Sequence, residues 1–424
     1  MSKVQRWTIF EHGALRLQGD GPSIEQADAL FDAAVTAKSH LRALHWKTRQ
    51  ELMADRHVGI VTASGCQVEI LPKLERDSTS IAERTSLVRM LQRCGDIPFV
   101  GGEAASANWD DSDLLEIFAR CYLQALVIEA RRGLPRAYIR EEDDLRALRG
   151  RWDPIRQYTV LAARPNRLAC AFDEFSLDTP LNRMLKAAAR VLRFAVTRPA
   201  VQALALEAEG LLEEVTDLPP SNAVILSPLI DRTNHRLLDL LNWARLLLQG
   251  SRQDTRGGAR QGFRILFDMA EVFERYAAAE LRSVYQPQGW SVTAQGGRLK
   301  LVSECDTGAQ AFETLPDVIL RRGPETWIID TKWKRLEPPF DAKHGVAQSD
   351  LYQMAAYARR YNAQKVTLLY PHWSALGPEP QVLKSWNLLP VEPDKTIVEI
   401  ATLGVSPAHY SSRDFRISNS LPTV

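Results

Sequence analysis

Cysteine is scarce in this sequence: Cys66, Cys94, Cys121, Cys170 and Cys305 are odd in number, scattered, and form no C-x-x-C pair. That excludes a disulfide framework or a thiolate zinc knuckle and points to a reducing compartment, where thiols serve as small apolar residues. The eight histidines show no H-E-x-x-H or other metal spacing. His344 and His372 read as surface or strand-end residues, and Ser303 and Cys305 lack the placed histidine that a nucleophile needs. No apolar run approaches the ~18 residues of a membrane span, so no membrane partner is expected. The amino terminus lacks the basic-then-apolar plan of a signal peptide, and a cytoplasmic location is expected. No G-x-x-x-x-G-K-[ST] loop is present, so a nucleotide-driven motor would be another polypeptide. Charge of one sign is missing too: 53 basic against 52 acidic residues leave a formal +1. Any nucleic-acid surface must therefore be a local basic patch balanced by acid elsewhere.

What is present is an ordinary globular composition, 45% hydrophobic and 25% charged, in a chain long enough for roughly two to three domains. Arg6 to Leu17 reads as strand, and an amphipathic helix lies within Ile24 to Arg49. Val58 to Leu74 has the pattern of a hairpin turning at Ala63-Ser64-Gly65. Ile81 to Cys94 and Asp113 to Arg132 read as helices, the second stopped by Gly133 and Pro135. Eight arginines between Arg131 and Arg156 interleave with Glu141, Glu142, Asp143, Asp144 and Asp153. They suit either a solvated, ion-paired surface or a phosphate- or partner-binding face. Leu177 to Gln249 reads as mixed and largely helical, with Asp178 as the cap of a helix starting at Pro180. Ser251 to Gly262 is the clearest connector.

Beyond it the expected order is helix, three strands, helix, strand. The helix is read over Phe263 to Tyr285, with Phe263, Leu266, Phe267, Ala270, Phe273, Ala277, Leu281 and Val284 on one face. Glu274 falls within that face and Glu271 at its edge. A carboxylate there is costly unless it binds a cation or pairs with a buried arginine, and both readings stand. A short run opens with Pro316-Asp317, and a turn at Arg322 to Glu325 leads into the apolar strand Trp327-Ile328-Ile329. Asp330 and Lys332 emerge from it on one face, with Thr331 and Trp333 on the other. The pattern is P-D, twelve intervening residues, then D-x-K. Two neighbouring carboxylates cannot both ionise cheaply without a cation, and hard oxygens suit Mg²⁺. The metal would activate a water and stabilise charge on a phosphate, while Lys332 acts as a point charge beside it. The next helix, Ala347 to Tyr361, sets Gln353 and Tyr357 one turn apart on one face, with Asp350 on a neighbouring line. Lys365 to Pro371 is the following strand.

These residues resemble the PD-(D/E)xK nuclease superfamily with a RecB-like Q-x-x-x-Y element at Gln353 and Tyr357. More closely, the chain resembles the McrC family, nuclease partners of McrB GTPases in modification-dependent restriction. The segments that carry this include VEILPKL at Pro72-Lys73, RRGLPRAYIRE from Arg131 and LRGRWD from Leu148. FDEFSLDTPLNRMLK from Phe172 and FDMAEVFERY from Phe267 join them. The resemblance implies an α/β (α+β) protein in two parts. Residues 1–168 would form a β-containing domain that binds a hexameric McrB-like AAA+ GTPase ring. Residues 169–424 would hold a helical segment and a PD-(D/E)xK nuclease domain with a mixed sheet flanked by helices, its core at 263–373. It further implies Asp317, Asp330 and Glu274 as metal ligands, Lys332, Gln353 and Tyr357 as further catalytic residues, Mg²⁺ as cofactor and double-stranded DNA as substrate. A stand-alone nuclease, or an assembly subunit without chemistry, are the alternatives. The sequence departs from the family pattern near Ala200 to Ile230, after Trp373 and in the first ~60 residues.

Overall fold

The structure is a computed structural model that describes residues 4–34, 43–63, 65–76, 79–95, 112–164, 166–251, 263–388 and 396–406. They fall into two compact units. One gathers the described residues within 1–96, 106–114 and 264–424, the other those within 97–105 and 115–263. A division at 168/169 coincides with neither boundary, and it remains a proposed division of function.

The first unit opens with β1 (Gln5–Phe10), β2 (Ala14–Arg16), α1 (Ile24–Ala33), β3 (Leu44–Thr48), β4 (Glu51–Ala54), β5 (His57–Ala63), β6 (Cys66–Leu71) and α2 (Ser80–Arg93). The expected single strand over Arg6 to Leu17 is two strands, because His12 takes a left-handed φ of 58° and turns the chain. Helix α1 starts where Ser23 and Gln26 close a reciprocal capping box. The expected hairpin is present as antiparallel β5 and β6, with Ala63 opposite Cys66; Ser64 of its turn lies outside the described residues. Strands β2, β4 and β3 form a small sheet, and Leu30, Leu44, Leu52, Val61, Val68 and Ile70 make the core between elements. Glu69 on β6 and Arg84 on α2 form a buried bidentate pair, at 2.8 and 2.7 Å.

The second unit runs through α3 (Leu114–Arg131), β7 (Ala137–Leu145), β8 (Arg151–Trp152), α4 (Pro154–Thr159), β9 (Leu168–Ser176), α5 (Pro180–Ala195), α6 (Pro199–Leu211), α7 (Pro220–Ala223) and α8 (Leu238–Gly250). The arginine-rich segment includes β7, paired with β9 and exposed along most of its length. Several of its charges are matched, Arg156 with Asp144 at 2.6 Å and Arg149 with Glu174 at 3.4 Å, a pairing that suits both a solvated and a partner-binding face. Asp178 does not cap α5. Thr179 does, its hydroxyl accepting from Asn182 N at 3.2 Å. Asp178 instead receives Arg183 at 2.7 and 2.6 Å together with Thr216, and these donors hold its carboxyl down at about 2.

The chain returns to the first unit with β10 (Phe263–Asp268), α9 (Met269–Tyr285), β11 (Ser291–Ala294), β12 (Lys300–Ser303), β13 (Gln310–Glu313), β14 (Val318–Arg322), β15 (Glu325–Thr331), α10 (Gln348–Tyr361), β16 (Lys365–His372), β17 (Val382–Asn387) and β18 (Ile397–Gly404). The expected helix over Phe263 to Tyr285 is thus corrected: its first six residues are a strand. FRILFD alternates buried and half-buried positions, and a short apolar run fits period 2 as well as 3.6. The Asp268 carboxylate then accepts from Ala270 N at 3.0 Å and starts the helix. Strand β10 completes a sheet of order β1-β6-β5-β10. Gly59 on β5 makes this possible: its φ is +134°, and a Cβ there would meet Ile265 O at 2.0 Å. A cut before residue 165 would remove three strands of this four-stranded sheet.

The larger sheet has the order β11-β14-β15-β16-β18-β17. Three adjacent inner strands, β15, β16 and β18, run parallel and are almost wholly buried, so they read as largely apolar runs. The αβββαβ order is present, with the exposed β12–β13 ribbon inserted between its first two strands. Beyond the expected core, β17 and β18 close the sheet. No helix among the described residues is long and apolar enough to cross a membrane.

Candidate active site

Strand register assembles the site. Val318 on β14 lies opposite Ile329 on β15, so the same antiparallel register, extended by one residue, sets Asp317 opposite Asp330. Asp317 stands just before its strand because its carboxylate caps the end of the neighbour. Oδ2 accepts from both the backbone N and the hydroxyl of Thr331, each at 2.7 Å. Thr331, assigned by alternation to the other face, therefore turns toward the acids. Asp330 is 2% exposed. Burial and the charge of Asp317 push its carboxyl up to about 6, against the pull of Lys332.

Lys332 Nζ lies 2.7 Å from Asp330 Oδ2 and 3.7 Å from Asp350 Oδ1. It also donates to Gln353 Oε1 at 3.4 Å. Burial works against its charge, but the bond to Asp330 and the field of Asp330, Asp350 and Asp317 hold its ammonium above the ordinary lysine value. Gln353 Nε2 donates to Tyr357 OH at 2.9 Å, and Tyr357 OH donates to Leu315 O at 3.2 Å. One turn of α10 thereby connects Lys332 to the segment leading into Asp317. The sequence placed these two residues on one face, and they bond to each other.

Glu274 is half-buried on α9, beside the fully buried Phe273, whereas Glu271 and Ala270 are exposed. The inclusion of Ala270 in the apolar face is corrected accordingly. Burial raises the Glu274 carboxyl, as do the charges of Asp317 and Asp330, while a hydrogen bond from Gln295 lowers it. The three acids are therefore within electrostatic reach. Among the described residues, no three His, Cys, Asp or Glu side chains form a group that could by themselves hold a metal ion. The donor set still fits a hard divalent ion that keeps most of its waters and takes one or two carboxylates.

Gln295 escaped the sequence reading. It has a left-handed φ of 46°, and its backbone N donates to Asp317 O at 2.7 Å. The Gly296-Gly297 pair after a strand was the available signal, marking a tight turn at that place. His372, by contrast, is a buried strand-end residue, its ring nitrogens within 3.0 Å of Thr402 Oγ1 and Gly377 O.

Comparison with known proteins supplies the family. Solved structures that share the fold include two from one archaeon. The refined half-complex from a tetradecameric assembly of Thermococcus gammatolerans McrB AAA+ hexamers with bound McrC matches with a TM-score of 0.67, at 18% identity over 94% of each chain. The cryo-EM structure of the Thermococcus gammatolerans McrBC complex matches with a TM-score of 0.52, at 20% identity over 65% of this chain and 87% of that one. Comparison with curated proteins returns no match. The profile of the family described as "McrBC 5-methylcytosine restriction system component" matches residues 52–371, well over half of the sequence, and the chain belongs to that family.

Proposed function

We propose that this chain is the Mg²⁺-dependent DNA endonuclease subunit of a GTP-driven, modification-dependent restriction complex. The observation that supports it most is the Asp317–Asp330–Lys332 cluster: facing carboxylates on adjacent strand ends, with an ammonium 2.7 Å from one of them. When bound, the divalent ion supplies a Lewis acid and a water of lowered pKa. Asp317 and Asp330 would hold it, with Glu274 alongside or through water. Lys332 places a fixed positive charge where a phosphate oxygen or the attacking water would sit. Gln353 and Asp350 hold that ammonium in place, and Tyr357 anchors Gln353. Thr331 fixes the Asp317 carboxylate through two donors on Oδ2.

The partner in this reading is a McrB-like AAA+ hexamer, which reads the modified base and consumes GTP. The second unit offers a surface suited to a protein partner. Tyr138 and Phe175 pair their rings at 5.1 Å, and Tyr138, Ile155 and Tyr158 are each more than 70% exposed.

Plasmid cleavage in Mg²⁺ and GTP, with and without the partner, tests the proposal. Cutting is expected only with both, and Asp330→Ala should abolish it while leaving partner binding intact. Cutting by the chain alone would make it a stand-alone nuclease. Stimulated GTP hydrolysis without cutting would make it an assembly subunit.

A further inference from the structure

The cleavage cluster is braced by a residue more than three hundred positions upstream. Glu11, in the turn between β1 and β2, is 6% exposed. Its Oε1 accepts from the backbone N of Lys73 at 3.0 Å. Both carboxylate oxygens face the indole Nε1 of Trp333, at 3.1 and 3.0 Å. Glu11 N donates to Leu71 O at 2.8 Å, which ties its backbone to the end of β6. A buried carboxylate without strong donors would be costly, so this one specifies where its partner's N–H must lie.

That partner occupies a telling place. Trp333 directly follows Lys332, and its ring lies against Phe273, centroids 5.5 Å apart. Phe273 directly precedes Glu274 on α9. One indole thus fills the space between the strand end bearing Asp330 and Lys332 and the helix turn bearing Glu274. An indole packed on one ring can slide or tilt, because dispersion contacts are weakly directional. A hydrogen bond from its N–H to a fixed carboxylate removes that freedom. The same upstream segment holds the neighbouring loops: Ser374 Oγ donates to Glu75 at 2.6 Å, and Arg76 pairs with Glu337 at 3.0 Å. Arg76 and Arg335 both lie over the Trp373 ring, at 5.4 and 5.3 Å. Glu11 therefore rests on a docked, multiply bonded surface.

We propose that Glu11 is a positioning residue of the cleavage site, holding the Trp333 indole so that Lys332 on β15 and Glu274 on α9 keep their working separation. The proposal rests on the nuclease reading above, and it makes the amino-terminal sheet part of the catalytic scaffold. Trp333→Phe keeps a ring against Phe273 and removes the donor. Glu11→Ala removes the acceptor, and Glu11→Gln retains a carbonyl at Oε1 for both N–H groups.

The test uses the full chain with its partner, reading kcat and KM for plasmid DNA and, separately, Mn²⁺ affinity and the thermal midpoint. Trp333→Phe and Glu11→Ala should each lower kcat roughly tenfold or more, the scale of a small misplacement, with KM little changed. The double variant should be no worse than either single, since both cut the same link, and Glu11→Gln, which keeps one of the two acceptors of the indole N–H, should retain more of the rate than Glu11→Ala. Additive losses, an unchanged kcat, or a loss confined to KM would overturn the proposal. If the wild-type chain cuts no DNA, the nuclease reading fails, and Mn²⁺ affinity decides this one. Equal affinity in wild type and Trp333→Phe refutes it, and weaker binding in the variant at an unchanged thermal midpoint supports it.

Discussion

Asp330 should make the free protein less stable in the pH range where the site is used, and removing its charge should reveal this. The perturbation is Asp330→Asn, which keeps shape and removes ionisation. In the folded chain the carboxyl sits at about 6 against an ordinary 3.8, because it is buried beside Asp317. A shift of that size corresponds to about 3 kcal/mol against the ionised form. The sign follows from proton uptake. Between pH 3.8 and about 6 the folded state binds a proton that the unfolded chain has released, so stability falls as pH rises through that window. Above it the penalty is complete. That value already includes the pull of Lys332, whose ammonium keeps Asp350 and Gln353 in the variant, and the amide is an imperfect stand-in for the neutral acid. The variant should therefore be more stable than wild type by about 1–3 kcal/mol at pH 7.5, and by under about 1 kcal/mol at pH 4. The assay is urea unfolding of both chains in EDTA at the two pH values. A variant equal to or weaker than wild type at pH 7.5, or a difference indifferent to pH, would refute the reasoning.

Two further predictions concern the scaffold. Gly59→Val places a side chain where its Cβ would meet Ile265 O at 2.0 Å, at a φ of +134°. It should lose about 3 kcal/mol or more, read by urea unfolding, and a near-neutral result would mean that β10 does not pack on β5 in this way. Arg84→Met strips the buried Glu69 carboxylate of its bidentate partner and should cost about 3–5 kcal/mol, whereas Glu69→Gln combined with Arg84→Met removes the charge, keeps an acceptor for Leu114 N and should recover much of it. A double variant as unstable as Arg84→Met alone would show that the charge is not the cause.

The candidate site was legible because its signals are local. Asp330-x-Lys332 follows an apolar run whose alternation alone places both side chains together, and Gln353 and Tyr357 are one helical turn apart. The facing of Asp317 and Asp330 followed from one hairpin, whose turn at Arg322 to Glu325 sets the register. Where local signals are ambiguous, the reading slipped. FRILFD carries both periods, and what makes it a strand is Gly59, two hundred residues away, offering it an edge. Asp178 and Thr179 are both good caps by type, and Arg183 and Thr216 decided between them by claiming the aspartate.

The sequence alone determined the mixed α/β character, the αβββαβ order after the connector and the candidate site residues, since each depends on periodicity, turn residues or spacing within a few dozen positions. Only the tertiary structure decided which elements share a unit. The amino-terminal strands join β10 and place Glu11 on Trp333 through contacts between segments more than two hundred residues apart. No sequence window spans such distances. A buried carboxylate and an indole find each other through the packing of whole sheets, and a pattern read along the chain carries no record of that meeting.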